Sequence, residues 1–200
     1  MDRNRESNRE ALHLLNQGIA VCRRCGLAKT RTRTVPGEGP LSPRVMMVGE
    51  APGEQEDLQG RPFIGRAGRI LDSLLARAGV ERSRIFITSL VKCRPPQNRD
   101  PKPAELDACK PHLDRQLELL HPQLILTLGR FAMARWLPGR KISAVHGQVF
   151  TVNGIRVMPL YHPGAALHQP RYRELMIQDM DDLAGVLQGN GNSAFGSDEG

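Results

Sequence analysis

The run Val48-Gly49-Glu50-Ala51-Pro52-Gly53-Glu54-Gln55-Glu56-Asp57-Leu58-Gln59-Gly60-Arg61-Pro62-Phe63-Ile64-Gly65-Arg66-Ala67-Gly68 sets the organisation of the whole chain. It begins where an apolar run, Arg44 to Val48, ends, and that run has the character of a short buried strand. Five glycines and two prolines then hold the backbone in turns, where its N–H groups can face a ligand closely. Ile70, Leu71, Leu74 and Leu75 follow at helical spacing, so the stretch leads from a strand into a helix. Ligands of open α/β sheets sit beyond the carboxyl ends of strands, which makes this connection a candidate site. Phe63 is a large ring in a polar, turning segment. It is either a loop aromatic tucked into the core or a platform for a flat ligand.

On both sides of this stretch, strand and helix signals alternate. Residues 8–21 place Leu12, Leu15 and Ile19 at helical intervals and predict an amphipathic N-terminal helix. Residues 35–43 are a Pro/Gly loop, and residues 84–91 (RIFITSLV) predict a second strand rich in β-branched side chains. Cys93 to Lys102 is punctuated by proline and reads as a loop. Pro103 and Glu105 suit the first turn of a helix that continues through Leu113, Leu117 and Leu120. Gln123 to Leu128 predicts a third strand, ended by Gly129 and followed by a helix through Met133 and Trp136. Val149–Val152 and Ile155–Leu160 flank Asn153-Gly154, a two-residue hairpin signal. The second arm runs out at Tyr161-His162-Pro163, another strand-end loop. Leu175 to Leu187 predicts a closing helix. Residues 188–200, mostly Gly, Asn and Ser with an acidic end, read as a disordered tail. Residues 1–187 therefore read as one α/β domain whose mainly parallel sheet is covered on both faces.

A chain of 200 residues with 40% hydrophobic content is long enough to bury a core, and none of its apolar runs is long enough to cross a bilayer. The charged start, Met1 to Glu6, lacks the apolar stretch of a secretory signal, so a cytoplasmic protein without membrane contact is expected. The net charge of +7 is carried by twenty-three arginines against five lysines. Guanidinium forks match phosphate geometry, which makes a nucleic acid a natural partner. Arg23, Arg24, Lys29, Arg31 and Arg33 form a local basic cluster with no acid among them.

The four cysteines are spaced Cys22-x2-Cys25 and Cys93-x15-Cys109. In a cytoplasmic chain, four such thiols point to metal ligation rather than disulfides. A four-cysteine zinc site and a [4Fe–4S] cluster both fit the count. Zinc favours two tight knuckles, and the wide second pair here tips the reading towards iron–sulfur. Either centre would tie the N-terminal segment to the loop after the second strand.

Three features together resemble the family 4 uracil-DNA glycosylases: GEAPG-x2-ED-x2-GRPF-x-G-x-AG at 49–68, VKCRPPQNR at 91–99, and HP-x3-L at 162–167, with the cysteines in the matching order. The resemblance spans Cys22 to Leu183. It implies a three-layer α/β/α sandwich around a four-stranded, mainly parallel sheet. It also implies a monomeric DNA repair enzyme that hydrolyses the N-glycosidic bond of uracil in single- or double-stranded DNA and leaves an abasic site. Cys22, Cys25, Cys93 and Cys109 correspond to the ligands of a structural [4Fe–4S] cluster.

By the same resemblance, Phe63 is the platform for a uracil taken out of the base stack, and His162 stabilises the negative charge that gathers on the departing base. Gly49, Ala51 and Gly53 border the base. Other uracil glycosylase classes carry Asp or Asn where this chain has Ala51. Glu50 is therefore the nearest carboxylate for orienting water, alongside the backbone groups of residues 49–53. Leu167 matches an apolar wedge that fills the vacated stack. Gly164 offers a backbone N–H to phosphate, and Arg171, with Arg173 close behind it, is expected to meet the DNA backbone. His146 and His168 have no motif behind them and stay unassigned.

The chain departs from the family at Ser89, where asparagine is usual, and at Gly164, where serine is common. A serine hydroxyl is shorter than an amide and rotates, so it reads the edge of a base less strictly. Asn98 or a backbone amide is the alternative reader. The departure leaves room for a glycosylase of the same fold acting on another deaminated base such as hypoxanthine. A non-catalytic, metal-stapled DNA-binding module is the reading outside enzymes.

Overall fold

In the computed structural model, which describes residues 2–188, the run after Arg44 is a strand, β1 (Val45–Gly49), buried along its whole length. Its side chains alternate between two faces, as a pleat requires. Val45 and Met47 join Ile85, Ile87, Leu124, Leu126 and Met158 in one apolar cluster. Met46 and Val48 join Phe86, Ile125 and Val157 in another. Full burial on both sides explains why these strands read as continuous apolar runs rather than as alternating ones.

Strands β2 (Ile85–Ser89), β3 (Leu124–Leu128), β4 (Phe150–Val152) and β5 (Ile155–Leu160) complete a sheet ordered β2-β1-β3-β5-β4. The pairs β1–β2, β1–β3 and β3–β5 are parallel, and β4 is antiparallel to β5. The sheet is thus mixed and five-stranded, where four strands were expected. The Asn153-Gly154 turn accounts for the difference. Both of its residues take positive φ, 49° and 79°, so the chain folds back tightly and β4 pairs along the edge of β5.

One face of the sheet carries α1 (Asp2–Ala20) and α4 (Pro103–Leu120), through Leu12, Leu113, Leu119 and Leu120. The other carries α3 (Arg66–Arg77) and α7 (Pro170–Gln188), through Leu71, Leu74, Leu75, Met176, Met180 and Leu183. Three short helices fill connections: α2 (Glu54–Gln59), α5 (Arg130–Ala134) and α6 (Ile142–Val145). The glycine-rich connection after β1 is therefore not irregular throughout. Its acidic residues Glu54, Glu56 and Asp57 form the first turn of α2, where they face the positive end of the helix dipole. The closing helix begins five residues before Leu175, at Pro170, which suits a first helical position. Apart from Gln188, the expected disordered tail, 188–200, lies outside the described residues. Among those residues no helix is long and apolar enough to cross a membrane.

Candidate active site

The carboxyl ends of β1, β2 and β5 open into one pocket of about 240 Å³, and it gathers most of the residues singled out above. Glu50, Ala51 and Gly53 reach it from the connection after β1, and Phe63 from the end of that connection. Ser89 comes from the tip of β2, Asn98 from the proline-rich loop, and His162 from the residues after β5. The rings of Phe63 and His162 lie 5.7 Å apart between centroids, inclined by 39°. Two rings 99 positions apart in the chain therefore share one small cavity.

Phe63 holds an uncommon backbone conformation, with φ at 49°, in the left-handed region that a bulky residue adopts only when its surroundings impose it. Three features impose it. A Cβ on Gly68 would lie 1.9 Å from the Phe63 carbonyl oxygen, so the carbonyl occupies space that only glycine leaves free. A Cβ on Gly49 would lie 2.7 Å from the ring itself. Before the ring, Arg82 Nη2 donates to the Pro62 carbonyl at 2.6 Å. Gly49, expected to border a ligand, is instead the surface against which Phe63 lies.

Glu56, quoted in the motif but given no role from sequence, organises the same loop. Its carboxylate accepts from the N–H groups of Gly53 at 3.1 Å, Ile64 at 2.9 Å and Gly65 at 2.8 Å. It closes α2 from its third position in the manner of a capping box, and it also locks the residues after Phe63 to the residues before the helix. Its offset of three from Gly53 was the available sequence signal.

His162 has a defined protonation pattern. Its Nδ1 accepts a hydrogen bond from the Gly164 N–H at 3.1 Å. A backbone amide can only donate, so Nδ1 is unprotonated and the neutral ring carries its proton on Nε2. Burial holds its pKa below the ordinary imidazole value, against a smaller opposing effect of the Glu56 charge. Gly164 was expected to give its N–H to a phosphate. The structure uses that N–H on His162, and a Cβ at 164 would sit 2.9 Å from Nδ1.

Glu50 is pushed up to about 7, first by burial and then by the charge of Asp100, with Arg130 opposing. Ala51 presents only a methyl group. Ser89 is buried, and Asn98 is exposed with its side-chain oxygen already accepting from Arg94 Nε at 2.8 Å. Leu167 ends a single 3-10 turn, residues 163–167, and is partly exposed. Arg171 is exposed in the first turn of α7. Neither lines the pocket, so both belong to its surroundings.

The four cysteines are free thiols lining a second, smaller cavity between the end of α1, the loop after β2 and α4. Polar hydrogens approach two of the sulfurs, from Arg31 Nη1 at 3.1 Å from Cys93 and the Lys92 N–H at 3.3 Å from Cys109, and His112 Nε2 lies 3.3 Å from Cys22. Burial raises the pKa of Cys93 and pushes Cys109 up to about 11. Thiolates here would need a cationic centre and would then find hydrogen-bond donors already in place. Among the described residues no three His, Cys, Asp or Glu side chains are arranged to hold a single metal ion.

Lys92 joins the two cavities. Only 1% exposed, it directs Nζ to Thr88 Oγ1 at 2.6 Å, the Ser89 carbonyl at 2.7 Å and Gln116 Oε1 at 2.8 Å. Asp57 makes a second link. Its carboxylate accepts from the Thr32 and Arg33 N–H groups, tying the segment after the first cysteine pair to α2.

Comparison with known proteins agrees with this geometry. Residues 36–184 match the uracil DNA glycosylase superfamily. A type-4 uracil-DNA glycosylase of Archaeoglobus fulgidus is 44% identical over 175 residues, 82% of this chain and 87% of the relative. That of Sulfurisphaera tokodaii is 41% identical over 185 residues, 87% of this chain and 84% of the relative. That of Thermotoga maritima is 37% identical over 187 residues, 91% and 97% of the two chains. Similarity on this scale, over nearly the whole of each relative, shows that the chain belongs to the uracil DNA glycosylase superfamily, in its type-4 branch.

Proposed function

We propose that this protein is a monofunctional uracil-DNA glycosylase of base excision repair, hydrolysing the bond between uracil and deoxyribose and leaving an abasic site. The observation that carries the reading is the shared pocket of Phe63 and His162, with the imidazole proton on Nε2 and Nδ1 already occupied. A base must leave the stack to enter such a pocket, which costs roughly a few kcal/mol and is cheapest in single strands or mismatches. Stacking on Phe63 returns about 1–3 kcal/mol of that. As the glycosidic bond breaks, the electron pair goes to uracil and positive charge develops on the sugar. The His162 Nε2–H is the donor for the uracil oxygen that takes up the negative charge, and a neutral imidazole placed in advance needs no reorganisation to do so.

Water attack on the sugar needs orientation more than strong basicity. Glu50 is the carboxylate at the pocket, and Ala51 offers no competing side chain. Ser89 and Asn98 are the polar side chains for the edge of the base. Leu167 takes the wedge position, and Arg171 meets phosphate. Cys22, Cys25, Cys93 and Cys109 hold a structural [4Fe–4S] cluster. Four free thiols lining one cavity support that reading. Such a cluster supplies the positive charge that keeps the thiolates deprotonated, and these residues then pin α1, the 91–99 loop and α4 together. The enzyme is expected to act as a monomer in the cytoplasm.

Incubation of the purified protein with uracil-containing oligonucleotides, followed by alkaline cleavage of abasic sites, tests the activity. Strand scission at uracil is the expected result, and its absence alongside retained DNA binding would leave only a binding module. Ser89 favours one further reading, a broader appetite for deaminated bases, which a panel including hypoxanthine separates. A brown protein with about four irons per chain, and loss of both in Cys109→Ala, is the outcome expected for the cluster.

A further inference from the structure

Outside the pocket, a carboxylate is buried with no part in the chemistry above. Asp179 of α7 is 2% exposed, and His146 Nδ1 lies 2.8 and 3.1 Å from its two oxygens. A buried carboxyl is costly unless paired, so the pair needs a reason to exist. The His146 ring packs on Tyr161 at 4.7 Å, and Tyr161 packs on Tyr172 at 4.8 Å. Above Tyr172 sits the Arg171 guanidinium, 4.9 Å from the ring centroid, with Nη2 donating to the phenol oxygen at 3.3 Å. Tyr172, Met176 and Asp179 follow the i, i+4, i+7 spacing of one helix face. The Gly147 N–H, next to His146, donates to the Pro159 carbonyl at 2.9 Å, which fixes this clamp to β5.

α7 is therefore held at two points about two turns apart, by a hydrogen bond at Asp179 and a ring at Tyr172. We propose that His146 and Asp179 are positioning residues: they anchor the stack His146–Tyr161–Tyr172–Arg171 and so set where Arg171 meets DNA. This rests on the reading that Arg171 and Leu167 contact DNA. The anchor acts on DNA binding rather than on the chemical step, because the stack ends on Arg171 at the start of α7, outside the pocket, while the His162 ring faces Phe63 within it.

The test compares His146→Gln and Asp179→Asn with wild type in the full chain. Uracil excision gives kcat and KM, and fluorescence anisotropy gives Kd for an abasic-site product oligonucleotide. Asp179→Asn keeps the buried shape and an acceptor, so it reports even where His146→Gln folds poorly. In His146→Gln, KM and product Kd are expected to rise about fivefold to twentyfold with kcat within about twofold, and less in Asp179→Asn. Adding Arg171→Ala to His146→Gln should then cost little more, because both changes remove the same positioned contact. Unchanged KM and Kd in both variants, with a rise in Arg171→Ala alone, would overturn the anchor and leave the DNA-contact reading standing. A fall in kcat at constant KM, or fully additive effects in the double variant, would also overturn it. If Arg171→Ala and Leu167→Ala both bind normally, the DNA-contact reading falls and the proposal with it.

Discussion

Gly49 and Phe63 compete for one volume: a Cβ on residue 49 would come within 2.7 Å of both Cε2 and Cζ of the ring. The strand end can yield little, because Gly49 is paired with Ser89 across β1 and β2. Gly49→Ala is therefore expected to push the Phe63 ring off its seat. Excision should fall about tenfold to hundredfold, as loss of a base stack worth about 1–3 kcal/mol implies. Stability should fall by about 1–3 kcal/mol, the usual cost of overpacking. Single-turnover excision and a denaturant titration measure the two. Wild-type excision in this variant would remove the stacking role from Phe63.

Glu56 holds three backbone N–H groups, so its removal reaches Phe63 without touching the ring. Glu56→Ala leaves those donors to partial solvation, with an expected loss of about 1–3 kcal/mol in stability and a clear fall in excision. Glu56→Gln keeps one carbonyl oxygen and should lie between the two. The order wild type, Gln, Ala in both thermal midpoint and rate is the result to look for, and equal rates in all three would refute the role.

The raised pKa of Glu50 gives a pH signature. The carboxyl keeps its proton up to about 7, so a carboxylate that orients water is present only above that value. Excision should climb as pH rises through this point, and the acid limb should be absent in Glu50→Gln. Burial holds His162 below the ordinary imidazole value, so its own titration falls on the acid side of a free imidazole. Stability runs the other way. The folded state binds the Glu50 proton more tightly than the unfolded state does, so this group's contribution declines as pH rises from 4.5 to about 7. Glu50→Gln should accordingly be at least as stable as wild type above that window. Unchanged turnover in Glu50→Gln would assign water positioning to the backbone groups of residues 49–53.

Ser89 sits buried at the end of β2 and lines the pocket. Ser89→Asn restores a side chain with a fixed donor and acceptor. Discrimination of uracil from cytosine is expected to improve about tenfold to hundredfold, the value of a two-point base contact. Competition between uracil- and cytosine-containing oligonucleotides measures it. A large loss of uracil excision would mean that the pocket is shaped around serine and that another group reads the base.

The strands were legible because burial on both faces makes them continuous apolar runs, and the Asn153-Gly154 hairpin because its backbone demands those residues. Taken alone, those runs number five; the four-strand expectation came with the family resemblance. α2 was hidden because polar caps and an acidic first turn hold it, not an apolar stripe. The first turn of α7 was missed for the same reason, since Arg171 to Glu174 carry little apolar periodicity. Phe63 and His162 were legible only through their motifs, because spacing alone cannot bring together rings 99 positions apart. The Asp179–His146 pair and the bonds of Lys92 had no sequence signal. Each depends on which loops the sheet order makes neighbours.

Lys92 gives the molecule a shared hinge pin. Its main-chain N–H donates to Cys109 Sγ and its Nζ to the carbonyl of Ser89, a residue that lines the pocket. One buried residue thus touches both Cys109 and a residue that lines the pocket. A displacement of Cys109 therefore has a direct mechanical path, one lysine long, to the tip of β2.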